Sequence, residues 1–163
     1  MQPETLTWIE KQKPELVRMA EKYLEEAKIY EEDVSKSKKK SEARKDEAKT
    51  EDPSKDPWVK KSQLQNLLGA ARAGEPVALL VNFVRYQHAR LPGWRQNDAA
   101  KKLEDVLHEQ IRPLAGTCPA AAKQSTEAAL EHRYEVEAAV AAQLFGFILR
   151  EYTYRCRLEG TTP

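Results

Sequence analysis

Apolar residues recur three and four positions apart along almost the whole chain, and nowhere do they alternate through a run of β-branched residues. This spacing constrains the fold more than any other feature. A period near 3.6 gathers apolar side chains on one face of a helix and gives a strand no face to bury. The expected class is all-α. In the first segment Leu16, Ala20, Tyr23, Ala27, Tyr30 and Val34 step by four and three, a heptad-like seam flanked by glutamates and lysines. Pro14 is expected in the first turn of that helix, with "MQPETLTWIEKQK" a shorter piece before it.

Between Ser35 and Asp56, "SKSKKKSEARKDEAKTEDPSKD" has only Ala43 and Ala48 as apolar residues. It buries too little surface to offset its ordering entropy, so it reads as a linker or as a helix exposed all round. Helical spacing resumes with Trp58, Leu64, Leu67, Leu68 and Ala71. Asp56 is expected as its cap, Pro57 at its first position, Ser62 and Gln65 as a second capping box, and Gly74 as its stop. A second helix is expected from about Pro76 to Ala89, broken by "LPGW". Asn97 or Asp98 is expected to cap a third helix carrying Leu103, Val106, Leu107 and Ile111, which "RPLAGTCP" ends. From Pro119 to about Leu158 the chain reads as helical, in one piece or in two divided near "LEHRY". The expected organisation is a helical, charge-rich arm over 1–34, a charged linker over 35–57 and a compact bundle of about five helices over 58–163.

Composition enters through charge. The chain as a whole carries +1 over 163 residues. Residues 58–102 hold eight Lys and Arg against only Glu75 and Asp98, whereas the segments on either side are slightly acidic. Positive charge concentrated in this way is the usual footprint of an anionic polymer, while the near-neutral whole argues against indiscriminate binding. No apolar run approaches the ~20 residues of a membrane helix, and the first residues lack the apolar core of a secretory signal. Two cysteines, Cys118 and Cys156, are too few for a secreted disulfide framework, so reduced thiols in the cytoplasm are expected.

On a helical wheel Val77, Leu80, Val81, Val84 and His88 gather on one side of the second helix, and Leu79, Phe83 and Tyr86 almost opposite. The last helix has a broad apolar face including Val136, Val140, Leu144, Phe147, Ile148 and Tyr154. Beside it runs a polar strip of Gln143, Arg150 and Arg157, and a line of small residues at Ala139, Gly146 and Thr153. Phe83, Gln143, Gly146, Arg150 and Arg157 are accordingly candidates for a subunit interface. A surface that tracks phosphates needs fixed cations, hydrogen-bond donors and flat side chains. Lys60, Lys61, Gln63, Arg72, Asn82, Arg85, Tyr86, Arg90 and Arg95 supply those types and form the candidate nucleic-acid surface. For Tyr86 a place in the core is the alternative, and for Arg85 and Arg90 a pairing with Glu104 or Asp105.

Catalytic patterns are missing. His88, His108 and His132 lie in separate contexts, and the carboxylates beside His108 and His132 read as solvated charge pairs of their helices. There is no phosphate-cradling glycine loop, no zinc-type Cys/His spacing and no nucleophile elbow. Neither enzyme activity, a metal nor another cofactor is expected.

At "KKSQLQNLLGAA" and "LLVNFVRYQHAR" the sequence resembles the small helical subunit of type III CRISPR effector ribonucleoprotein complexes, and "EAAVAAQLFGFILREYTYR" is similar to that family's closing helix. The matched positions are Lys61, Ser62, Gln63 and Asn66, then Asn82, Arg85, Tyr86, Gln87 and Arg90. The resemblance implies a non-catalytic subunit in antiviral defense. Copies of it would repeat along larger backbone subunits, and its partners would be guide RNA and target RNA, touched through their phosphates. The lysine- and glutamate-rich first 57 residues depart from a minimal member of that family. The alternative, from the residues alone, is a protein–protein adaptor that docks a partner helix on the N-terminal seam without nucleic acid.

Overall fold

A computed structural model describes residues 1–30, 57–119 and 126–158. Among these residues the chain forms helices and no strand: α1, Pro3–Ala27; α2, Lys61–Arg72; α3, Val77–Arg90; α4, residues 99–116; and α5, Thr126–Leu158. Residues 35–56 of the expected linker, with the expected cap Asp56, and Val34 lie outside the described residues. So does the stretch 120–125 that precedes α5.

The central element is α5, along which both α1 and α2 pack. Of the two expected forms, one piece or two divided near "LEHRY", the described part has the first: Thr126–Leu158 is one helix of 33 residues. The expected arm is not an arm over its described part. Leu16, Ala20, Tyr23, Leu24 and Ala27 are at most 2% exposed and belong to the same core as Val136, Val140 and Leu144 of α5. Nor does Pro14 start a new helix; it sits inside α1. Its missing N–H costs one rung of the ladder. Thr5 and Ile9 before it and Leu16 after it are buried on the same structure, so the two pieces keep a common axis. Pro3 supplies the fixed first turn instead.

Polar groups stitch the end of α1 to the rest. Lys28 takes a left-handed conformation, φ 45°, and closes the helix. The last carbonyls of α1 then find donors in α4 and the turn before it: Lys102 Nζ donates to Glu26 O at 2.8 Å and Asn97 Nδ2 to Ala27 O at 3.2 Å. Tyr23 donates its hydroxyl to Ala99 O at 3.2 Å. The Val59 N–H donates to Ile29 O at 3.1 Å, and Val59 O accepts from the Tyr152 hydroxyl at 2.8 Å. Residues 57–60 are consequently a strap across α1 and α5, and α2 begins at Lys61 rather than at Pro57.

The "LPGW" break is part of the core. Trp94 is fully buried and donates Nε1–H to Gln63 Oε1 at 2.9 Å. Gly93 has to be glycine: a Cβ there would stand 2.4 Å from the Trp58 carbonyl carbon and 2.7 Å from Val59 N. Asn97 and Asp98 both adopt positive φ, 48° and 55°, which these residue types tolerate, and neither side chain caps α4. The "RPLAGTCP" break falls later than expected, because α4 passes through Pro113. It does so by widening: after Ala99–Asp105 comes a π-helical turn, Val106–Ile111, where the Arg112 N–H reaches back five residues to Leu107 O. That wider turn accommodates a proline ring that would press on the carbonyl four residues earlier. The helix then ends as Arg112–Gly116.

α4 and α5 also share a buried carboxylate. Glu137 is 1% exposed, with Arg133 Nε at 3.2 Å and Arg112 Nε at 3.7 Å. His132, expected to be a solvated partner of its neighbours, is 6% exposed and has Thr5 Oγ1 3.3 Å from Nε2. Cys118 and Cys156 are buried thiols not joined in a disulfide.

Candidate nucleic-acid interface

The site begins with the wheel of α3. Val77, Leu80, Val81, Val84 and Gln87 are its buried face. Leu79 and Tyr86 point away and are 52% and 53% exposed, while Phe83 is half-buried against the core. The core alternative for Tyr86 therefore does not hold. His88, placed with the apolar side by its angle, is exposed, and Gln87 takes the last buried position in its stead. The outer face runs Leu79, Asn82, Phe83, Tyr86 and Arg90, all within about one third of the wheel.

On this face Arg90 and Tyr86 are a unit. The guanidinium carbon lies 5.0 Å from the centre of the Tyr86 ring, and Nη1 donates to the Tyr86 hydroxyl at 2.7 Å. Among the described residues no carboxylate pairs with Arg90. The arrangement offers a cation, a flat ring edge and the exposed Asn82 amide side by side.

The other candidates divide. Arg85 turns to α4, where Nε and Nη2 both lie 3.0 Å from Glu104 Oε2. Arg85 keeps 63% of its side chain exposed and Glu104 only 13%, so the arginine mainly satisfies a carboxylate facing inward. Arg95 folds back on the end of α3, donating from Nε to His88 O at 2.9 Å and from Nη2 to Ala89 O at 2.6 Å. Those carbonyls have no partner within the helix and carry the negative end of its dipole, so a cation stabilises them and a carboxylate would not. Here is a structural cause for the absence of acids from Asn82 to Trp94.

Gln63 is also structural: Oε1 accepts both from Trp94 and from the Lys60 N–H, the latter at 3.3 Å. Lys60 and Lys61 stand at the start of α2 and Arg72 at its end. Twelve helical residues span about 18 Å, so these cations cannot converge on one group. The nine candidates thus form no single surface. Asn82, Tyr86 and Arg90 stand together. Arg85, Arg95 and Gln63 serve the fold, and the cations of α2 lie elsewhere.

Of the interface candidates, Gln143, Gly146 and Arg150 meet in a cleft between α2 and α5 that Arg72 also lines. Phe83 lies on α3 and Arg157 two turns beyond Arg150, outside that cleft. Among the described residues Gly146 mediates no close contact, since a Cβ there would meet none of their atoms within 4 Å. The sequence reading missed that Arg72 and Arg150 share a cleft. No local pattern could have shown it, because 77 residues intervene. It also missed Phe147 beneath Arg150, for which the i, i+3 spacing was a usable signal.

Among the described residues no group of three or more His, Cys, Asp or Glu could hold a metal ion, and no helix is long and apolar enough to cross a membrane. Compared with protein-family models, curated proteins and solved structures, the chain matches none.

Proposed function

We propose that the protein is a non-catalytic, helical RNA-contacting subunit of a type III CRISPR effector complex in the cytoplasm. In this reading it repeats beside larger backbone subunits and touches the phosphates of guide RNA and target RNA through α3. The single observation that carries it is the outer face of α3, where Asn82, Tyr86 and Arg90 are exposed together and, among the described residues, no carboxylate pairs with Arg90. What supports the family is the likeness of "KKSQLQNLLGAA" and "LLVNFVRYQHAR"; what supports the contact is chemistry. A guanidinium braced on a tyrosine ring can hold a phosphate while the ring edge meets ribose, and neither reads base sequence.

Arg85 and Arg95 drop out of the expected binding set, since their guanidinium groups already neutralise Glu104 and the end of α3. The adaptor alternative loses its docking seam, because Leu16, Ala20, Tyr23, Ala27 and Tyr30 are buried in the chain's own core.

The test is retention of a short RNA duplex on filters by the full chain and by a Tyr86→Ala, Arg90→Glu variant. Both positions are exposed, so helicity by circular dichroism is expected to be unchanged. RNA affinity is expected to fall about tenfold, and the slope of log affinity against log salt to lessen by about 1. Equal retention by the two proteins refutes the reading.

A further inference from the structure

We infer that the cleft between the end of α2 and the middle of α5 is a binding site for a single phosphate group. This inference goes beyond the α3 surface and does not rest on it.

The first argument is charge. Several arginines of this fold face a carboxylate: Arg85 that of Glu104, Arg112 and Arg133 together that of Glu137, and Arg155 that of Glu151. Among the described residues Arg72 and Arg150, like Arg90 and Arg95, do not. Arg72 and Arg150 line one cleft, and among the described residues no acidic residue lines it with them and neither has a carboxylate partner. Both are exposed, so an anion entering the cleft meets two cations.

The second argument is shape. The cleft has a volume of about 250 Å³, and the small residues Ala139, Ala142 and Gly146 line it. Over Gly146 no atom of the described residues lies within 4 Å of where a Cβ would be. Pockets for drug-sized ligands have volumes of roughly 300 to 1,000 Å³, so this cleft suits one compact group and not a helix.

The third argument is the donor set. Arg150 is seated over Phe147, its guanidinium carbon 5.5 Å from the ring centre, which restricts its motion before any ligand arrives. Two guanidinium groups and the Gln143 amide, from two helices, line the same cleft. A carboxylate, planar with two oxygens, serves one fork well. A tetrahedral phosphate presents enough oxygens to meet both forks and the amide.

The phosphate could be a free ion or the end of an RNA strand, and one experiment separates them. Inorganic phosphate is titrated into the full chain by calorimetry at low chloride, followed by 5′-phosphorylated and 5′-hydroxyl oligoribonucleotides of one sequence. Saturable phosphate binding at one site is expected. Arg72→Gln and Arg150→Gln should each weaken it about tenfold, as loss of one charge-assisted fork implies. Gly146→Leu should abolish it by filling the cleft with no change of charge, and circular dichroism should show that helix intact. Arg90→Gln should leave it unaltered, so failure of the α3 reading and failure of this one give different results. Tighter binding of the 5′-phosphorylated strand, lost in Arg72→Gln, assigns the site to a strand end. Equal strands together with saturable inorganic phosphate assign it to the free ion. Absence of saturable phosphate binding, or binding that survives all three cleft substitutions, overturns the site.

Discussion

α1 and α3 each bury one apolar stripe, and α1 leaves Leu6 exposed as α3 leaves Leu79 and Tyr86. They differ in how much of their middle is covered. In α1 the seam from Leu16 to Ala27 is buried to the last residue against α5, whereas α3 buries one stripe and leaves Leu79 and Tyr86 more than half exposed. The difference does not lie in the stripes. It lies in what stands opposite them. α5 is long enough to give α1 a continuous partner over residues on both sides of Pro14. α3 packs on α4, on α2 and α5 and on the Gly93–Trp94 turn with its buried side, and among the described residues Leu79 and Tyr86 on the other side stay more than half exposed. A periodic apolar stripe therefore identifies a helix, and only the partner decides whether it is core.

The comparison breaks most readily at α1. Leu16→Ala should cost about 2–5 kcal/mol in urea unfolding, because a fully buried side chain leaves a cavity in the shared core. A loss near zero would mean that α1 is the detachable arm its sequence implied. For the same reason, deleting residues 1–30 should abolish cooperative unfolding, which makes that truncation a poor test of partner binding.

Next in size is the turn that fastens the inner side of α3. Gly93→Ala should destabilise the fold by about 1–3 kcal/mol, since the new methyl group meets the rigid backbone of Trp58 and Val59. A melting temperature unchanged from wild type would show that the strap at 57–60 can retreat.

Tyr23 gives a pH-dependent probe of the α1 side. Burial pushes its phenol well above the ordinary value, so the folded state holds it neutral. In the unfolded chain it ionises at about pH 10. Its contribution is therefore complete below that pH and is lost as pH rises beyond it, because the unfolded state gives up its proton first. Urea midpoints of wild type should fall more steeply above pH 10 than those of Tyr23→Phe, and parallel curves would contradict its burial.

The smallest effect belongs to the outer face of α3. Leu79→Gln should change stability by no more than about 0.5 kcal/mol, as surface substitutions usually do. A larger loss would mean that something in the chain itself covers that face.

The sequence alone determined that this chain is helical, because the 3.6-residue period is a property of neighbours along the backbone and needs no tertiary partner to be visible. It determined too that cations gather between Lys60 and Lys102. It did not determine what those cations do. Arg85 and Arg95 find Glu104 and the carbonyls of His88 and Ala89, and Arg72 comes to line one cleft with Arg150 across 77 residues of chain. Such pairings depend on where helices cross and end. Crossing is set by packing around α5, so the separation of structural charge from available charge belongs to the tertiary structure.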